Sequence, residues 1–326
     1  MDDHATVFIS DRYFIVPTIH AAIQYAQAGK GLTDVVVVAG GLSSSEFDAI
    51  GLFLQPHGIA LIDSSKEFAR LFGSVSSGDN HFTAATLGRL LLAEILPSRY
   101  AHILYVDGDT YLCGDITDLF RLRVPSGKVA AALDGLFINL KGHTDYARKL
   151  RAYQSGLDAV VPERYFNAGV MAAERATWGR VGHEAFAFYR AHPERCVFFD
   201  QSALNVVCQG AVQWISPAYN FSTDFRLMGF GLHVSPRILH FSGATKPWNT
   251  RWHPWPRHLT DAYRAFVASA PALPPLMPIN SPGQDRKIRN RLIHHMLFDA
   301  PGIVAPSHVI ENHRFFRTYV QAHRFG

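Results

Sequence analysis

The sequence predicts an α/β fold built on a mostly parallel sheet flanked by helices. Strand-like and helix-like segments alternate through the first half of the 326-residue chain. One strand-like segment, DVVVVAG at 34–40, is a continuous β-branched run, the pattern of a strand covered on both faces. The strands are separated by helix-length segments rather than hairpin turns, which implies right-handed crossovers and parallel neighbours.

The elements follow in order. ATVFIS (5–10) reads as a strand and the segment after it, to about Gly29, as a helix. After DVVVVAG, the stretch SSSEFDAIGLFLQPHG offers a serine cap, a helical pattern and a Pro/Gly stop. IALID (59–63) is the next strand, TAATLGRLLLAEILP (83–97) an amphipathic helix stopped at Pro97, and HILYVDGDT a strand after it. KVAAALD (128–134) reads as a strand ending on Asp134, and residues 135–163 as an insertion or lid. RYFNAGVMAAE is strand-like around a central glycine, with a helix running on to about His192. DQSALNVVCQG is a short helix, and AVQWIS and RILHFSG are strands. These divide the chain into a catalytic-sized body over 1–270, a proline-dense linker over 271–282 and a basic, aromatic tail over 283–326.

The chain is 48% hydrophobic and 18% charged, the balance of a protein with a substantial core. Three scattered cysteines, Cys113, Cys196 and Cys208, are too few for a disulfide framework or a thiolate zinc site, which points to a reducing compartment and a cytoplasmic protein. The acidic N-terminus enters a strand at once and is no secretory signal. The tail holds seven Lys/Arg and three acids, an excess that equals the formal charge of the whole chain, +4. Its basic character therefore belongs to the tail. Without a recognition motif it gives no reason to expect nucleic acid.

The chemistry concentrates at ILYVDGDTYL (103–112), where two aspartates end a buried strand. Ligands of parallel sheets bind beyond the carboxyl ends of the strands. One reading is a solvated turn, though ILYV is too apolar for an ordinary surface turn. A second is a phosphatase-like aspartyl nucleophile; here the threonine follows the second aspartate one place too early. A third is a divalent-metal site. Residues two apart on a strand share a face at about 6.5–7 Å, and a turn at Gly108 brings both carboxylates onto one ion. Such an ion bridges a diphosphate and stabilises it as a leaving group, which is the need of a sugar-nucleotide donor.

Four blocks in order, YVDGDTYLCGDITDLF, YFNAGVMA, DQSALN and ILHFSGATKPW, resemble glycosyltransferase family 8 over about residues 5–255. The resemblance implies a Rossmann-like glycosyltransferase A-type fold and a retaining, metal-dependent enzyme that moves a hexose from a UDP-sugar to a glycan or glycolipid acceptor. It implies Mn²⁺, with Mg²⁺ the alternative, held by Asp107, Asp109 and His240. Gly108 lies between the two acids, the Gly243 backbone would approach the diphosphate, and Lys246 would pair with a phosphate oxygen. Arg89 would reach the donor sugar or phosphate, and Asp134, Asn167, Asp200 and Gln201 would surround the transferred sugar. The family's acidic run after the first strand is here ISDRYFIV, with Arg12 in place of an acid. Asp11 still matches the base-reading aspartate, Tyr13 or Phe14 would stack on the base, and uridine is favoured. A phosphohydrolase built on the aspartate pair, or a non-catalytic sugar-nucleotide binder, are the alternatives. The tail has two readings: a basic surface for anionic headgroups on the inner face of the membrane, or a helix packed on the catalytic body. Trp248, Trp252 and Trp255 are core residues or an acceptor platform.

Overall fold

The computed structural model describes residues 3–72, 87–140, 145–157, 160–243, 245–250, 252–276, 282–294 and 306–323. Its strands are β1 (His4–Asp11), β2 (Asp34–Gly40), β3 (Ile59–Asp63), β4 (His102–Val106), β5 (Thr110–Leu112), β6 (Val129–Leu133), β7 (Phe166–Glu174), β8 (Val212–Trp214), β9 (Phe221–Ser222) and β10 (Ile238–His240). Seven of them form one sheet in the order β3-β2-β1-β4-β7-β6-β8, and the other three a small sheet in the order β5-β10-β9. Within the large sheet only β7 runs against its neighbours.

The β-branched run of β2 behaves as its composition requires. Val35, Val37 and Ala39 enter the core on one face and Val36 and Val38 the core on the other. The first face is covered by α1 (Ile15–Ala28) and α2 (Ser44–Leu54), the latter opened by a capping box between Ser43 and Glu46. Helices α3 (Ser65–Phe72), α4 (Leu92–Ile95), α5 (Thr117–Phe120), α6 (Leu136–Asn139), α7 (Asp145–Ser155), α8 (Arg175–Ala191) and α9 (Phe199–Val207) follow. Of these, α8 and α9 cover the second face. The remainder are α10 (Thr223–Leu227), α11 (Arg257–Ser269), α12 (Pro282–His294) and α13 (Pro306–Ala322).

Three sequence expectations change. The amphipathic helix over 83–97 is, in its described part, a tight turn at Arg89–Leu91 followed by α4; residues 83–86 lie outside the described residues. The segment read as one strand through HILYVDGDT is two strands in two sheets, because the chain leaves the large sheet after Val106 and enters the small one at Thr110. The RYFNAGVMAAE strand carries an irregularity: β6 pairs Ala131 with Met171 but Ala132 with Asn167, so residues 168–170 bow out of the β6 ladder.

The insertion over 135–163 contributes α6 and α7, which pack on a small apolar cluster of their own. Residues 277–281 of the proline-dense segment lie outside the described residues; before them, Leu273 is buried against the first core. In the tail, α13 docks its aromatic side on the body. Phe316 is fully buried, stacked on Phe230 with ring centroids 4.2 Å apart and 4.9 Å from Phe225, and Tyr319 meets Trp214 edge-on. Asp285 of α12 accepts a hydrogen bond from Thr250 Oγ1 (2.7 Å). Residues 295–305 and 324–326 of the tail lie outside the described residues. Trp248 and Trp255 are core, whereas Trp252 is exposed. Phe316→Ala should cost about 3–5 kcal/mol and lower the melting temperature in a thermal melt; an unchanged melt would mean that α13 does not belong to the cooperative core.

Candidate active site

Backbone pairing brings the distant ligand candidates together. Asp107 continues the β4–β7 ladder, its amide donating to the Gly169 carbonyl (2.7 Å). A Cβ at Gly108 would sit 2.1 Å from Thr18 Oγ1, so only glycine lets this turn rest on α1. The chain then enters β5, which pairs antiparallel to β10 with Thr110 opposite His240, and the Phe241 amide donates to the Asp109 carbonyl (2.9 Å). One ligand atom each from Asp107, Asp109 and His240 lies within 4.8 Å of the others. His240 Nε2 is 3.4 Å from Asp109 Oδ1 and 3.6 Å from Asp107 Oδ2.

A hydrogen-bond chain fixes the imidazole. Asn220 donates its amide to Asn167 Oδ1 (2.9 Å), so its oxygen is left to accept, and it lies 2.8 Å from His240 Nδ1. Nδ1 therefore carries a proton, and Nε2 faces the two carboxylates. Asn167 Oδ1 also accepts from the Gly169 amide (2.9 Å), while its Nδ2 donates to Asp134 Oδ2 (2.8 Å). Gln201 Nε2 lies 3.3 Å from the same Asp134 oxygen, and its Oε1 accepts from the Ala168 amide. His240, Asn167, Asp134 and Gln201, spread over more than a hundred positions, are one network. Asn220, fully buried, is the member that sequence reasoning missed. Its signal was an amide set between two buried aromatics, Tyr219 and Phe221.

The buried charges are paired. Lys246 Nζ donates to Asp109 Oδ2 and to the Phe241 carbonyl, both at 2.5 Å. Arg89 stands between Asp200 (Nε to Oδ2, 2.8 Å) and Asp107 (Nη2 to Oδ1, 3.2 Å), donates to the Ala168 carbonyl, and lies over the Tyr105 ring. It thus grips two carboxylates instead of projecting from a helix surface. Tyr105, also missed in the sequence, donates its hydroxyl to Asp107 Oδ1 (2.6 Å) from two residues back on the same strand face. Phe199, immediately before Asp200, holds a left-handed backbone (φ 51°), the only such non-glycine among the described residues. Strain of this kind persists where the surroundings over-determine the conformation.

The electrostatics follow from burial and partner. Burial opposes the Asp109 charge, but Lys246 and His240 outweigh it and hold the carboxyl well below its usual range. Burial likewise opposes an imidazolium at His240, yet Asp109 and Asp107 raise its pKa. For Asp134 burial wins, helped by Asp224 against the hydrogen bond from Asn167, and the pKa rises to about 6. Burial also lifts Asp200 to about 6 despite Arg89. Asp224 is a further acid at this site, its side chain packed where a Cβ on Gly135 would otherwise stand.

The nucleotide-side residues are more dispersed. Asp11 Oδ1 accepts from the amides of Tyr13 and Phe14 (2.9 Å each), a local turn after β1. Tyr13 is exposed, while Phe14 packs its ring near Trp248 and 5.9 Å from Lys246 Nζ. Arg12 pairs with Glu46 (2.7 Å). Gly243 takes a left-handed backbone (φ 83°), with open space where a side chain would stand. The donor set of two carboxylates and one oriented imidazole nitrogen fits a hard divalent cation that also accepts nitrogen.

A Rossmann-like sheet of this order, with a small sheet carrying the metal-type cluster at its strand ends, is the glycosyltransferase A-type fold. The structure of the galactosyltransferase LgtC with donor and acceptor sugar analogs superposes on it with a TM-score of 0.64 at 20% identity, covering 87% of this chain and 99% of that one. The glycosyltransferase GlyE of Streptococcus pneumoniae superposes with a TM-score of 0.53 at 21% identity, over 85% of this chain and 66% of that one. Residues 42–251 match the model of Glycosyl transferase family 8, and the chain belongs to that family. General stress protein A of Bacillus subtilis is 25% identical over 194 residues, 54% of this chain and 63% of the relative. The lipopolysaccharide glucosyltransferase WaaO of Escherichia coli is 27% identical over 185 residues, 54% of this chain and 51% of the relative. These matches span about half to two-thirds of the relatives' own length.

A Cβ at residue 169 would lie 2.3 Å from His240 Cε1 and 2.8 Å from Asp107 Oδ2. Gly169→Ala should therefore push two of the candidate ligands apart and weaken any Mn²⁺ binding there by at least about tenfold, with the fold retained by circular dichroism. Unchanged Mn²⁺ affinity in an electron-paramagnetic-resonance titration would contradict the assigned ligand set.

Proposed function

We propose that the protein is a retaining, divalent-cation-dependent hexosyltransferase that uses a UDP-sugar donor and a glycan or glycolipid acceptor. The convergence of Asp107, Asp109 and His240 beside Lys246 supports it most directly. Lipopolysaccharide is the acceptor class named for several relatives, which supports an envelope glycan or glycolipid here. Asp107, Asp109 and His240 Nε2 would hold the cation, Mn²⁺ by preference and Mg²⁺ as the alternative. Bound there, it supplies Lewis-acid compensation for charge on the donor diphosphate.

The chain's own residues supply the rest. Lys246 brings a cationic hydrogen-bond donor to the place where leaving-group charge develops, and Gly243 leaves room for backbone approach. Asp134, Asn167 and Gln201 present linked acceptors and donors to the hexose hydroxyls, and Arg89 fixes the separation of Asp107 and Asp200. Asp11 would read the base and Tyr13 would stack on it, since Phe14 is already packed. Asp200 is buried against Arg89, and both ends of the Gln201 amide are engaged, so neither is a ready nucleophile. This favours front-face substitution, in which the departing phosphate oxygen takes the acceptor proton. A trapped glycosyl–Asp200 adduct would refute that route.

Incubation with Mn²⁺ and a panel of UDP- and GDP-sugars should show donor turnover with a UDP-sugar, reduced at least about a hundredfold by Asp109→Asn. Release of phosphate from simple phosphomonoesters would favour the phosphohydrolase, and binding without turnover a non-catalytic role. Asp134 serves as an acceptor and works ionised. Because its pKa is raised to about 6, the rate should climb as pH rises through 6; a flat profile from pH 5 to 7 would count against that role.

The basic face of α12 is proposed to meet anionic headgroups on the inner face of a membrane. Arg286 and Lys287 are exposed there, and Arg289 lies over the exposed Trp252. No helix among the described residues is long and apolar enough to cross a bilayer. Charge reversal at Arg286, Lys287 and Arg289 should abolish co-sedimentation with phosphatidylglycerol vesicles, and unchanged partitioning would remove the membrane contact.

A further inference from the structure

At the far end of the central strands from the aspartate pair, a second group of metal-binding side chains stands where β1 and β4 begin. Parallel register places His4 beside His102, and their rings stack with centroids 4.7 Å apart. Asp3 is tied to the same spot through its main chain, its carbonyl accepting from the amides of Ala101 (2.8 Å) and His102 (2.9 Å). Its carboxylate oxygens lie 3.9 Å from His4 Nε2 and 3.8 Å from His102 Nε2. One ligand atom from each of the three falls within 4.8 Å of the others. The cluster shares no residue with the proposed catalytic site.

The chemistry of this group differs from that of the catalytic cluster. Two imidazoles and one carboxylate suit Zn²⁺ and its borderline neighbours better than Mg²⁺ or Mn²⁺. Metal ligation needs a neutral imidazole, and burial together with the neighbouring Arg123 guanidinium opposes a charge on both His4 and His102. His4 Nε2 hydrogen-bonds with Arg123. Because a guanidinium only donates, that nitrogen is an acceptor, and its lone pair is directed at Arg123. The Arg123 guanidinium also lies 3.8 Å from Asp3. Arg123 is thus the cation that now neutralises the group, carried on a half-exposed side chain that can withdraw into solvent. Glu174, opposite His102 in the β4–β7 ladder, adds negative potential.

We propose that Asp3, His4 and His102 form a second, structural metal site for Zn²⁺ or a similar imidazole-preferring ion, which displaces Arg123 and clamps the start of β1 to β4. The probe is Zn²⁺ alone, titrated calorimetrically into the untagged full chain carrying Asp107→Asn and Asp109→Asn to disable the other cluster. A binding event is expected that weakens at least about tenfold on adding His102→Ala or Asp3→Asn. Adding Arg123→Ala should instead tighten it, since the competing cation is gone. Zn²⁺ should raise the melting temperature of the parent and not of the His102→Ala protein. Should His102→Ala fail to fold, the more exposed Asp3→Asn and Arg123→Ala carry the test. Zn²⁺ binding unchanged by His102→Ala and Asp3→Asn, or weakened by Arg123→Ala, would overturn the proposal.

Discussion

Everything around the candidate site answers to one electrostatic constraint: the buried carboxylates of Asp109 and Asp200 meet there beside the partly buried Asp107. Each ion taken out of water costs several kcal/mol unless paired and hydrogen-bonded. Arg89 bridges Asp107 and Asp200, and Lys246 and His240 face Asp109. Asp134, with amide partners and no cation within salt-bridge distance among the described residues, shows the alternative outcome, a pKa driven upward by burial. Burial and partner together sort the acids: Lys246 and His240 hold Asp109 ionised, whereas burial lifts Asp134, and Asp200 despite Arg89, to about 6.

Geometry meets this constraint through irregularity. A uniform β4 would send Asp107 and Asp109 along one face of the large sheet, away from β10. The break between β4 and β5 moves Asp109 into the small sheet, where antiparallel pairing sets Thr110 opposite His240. The bow in β7 carries Gly169 against Asp107 and His240, and its missing side chain is the space they occupy. The amides of Asn220 and Asn167 then relay orientation from Asp134 to the imidazole. Their polarity is consistent along the whole chain, so no buried donor in it is left facing a donor.

The C-terminal segment belongs to this same body. Helix α13 inserts Phe316 among Phe225 and Phe230, and Phe221 and Phe225 flank Asn220 and Asp224 along the chain. The aromatic side of α13 is therefore used in packing, and the tail's charge is displayed on α12 and on the outer side of α13, where Arg314 and Arg317 are exposed. Of the two readings open in the sequence, the packed helix describes α13, and the proposed basic surface rests on α12.

The sequence by itself determined the parallel α/β frame, because β-branched runs such as DVVVVAG can satisfy both of their faces only inside a covered sheet. It also pointed to Asp107 and Asp109, as two acids ending an apolar strand, and to His240 and Lys246 through the resemblance of their block to glycosyltransferase family 8. Local pattern could not reveal that 103–112 changes sheets, that Arg89 faces two acids, or that Asn220 orients His240. Those facts arise from contacts between residues that lie from 18 (Arg89 and Asp107) to 130 (Thr110 and His240) positions apart, and pairing across such a distance leaves no periodicity in the chain. Which carboxylate is charged was likewise decided by tertiary structure alone, since burial and partner distance set a pKa and neither is written in the order of residues.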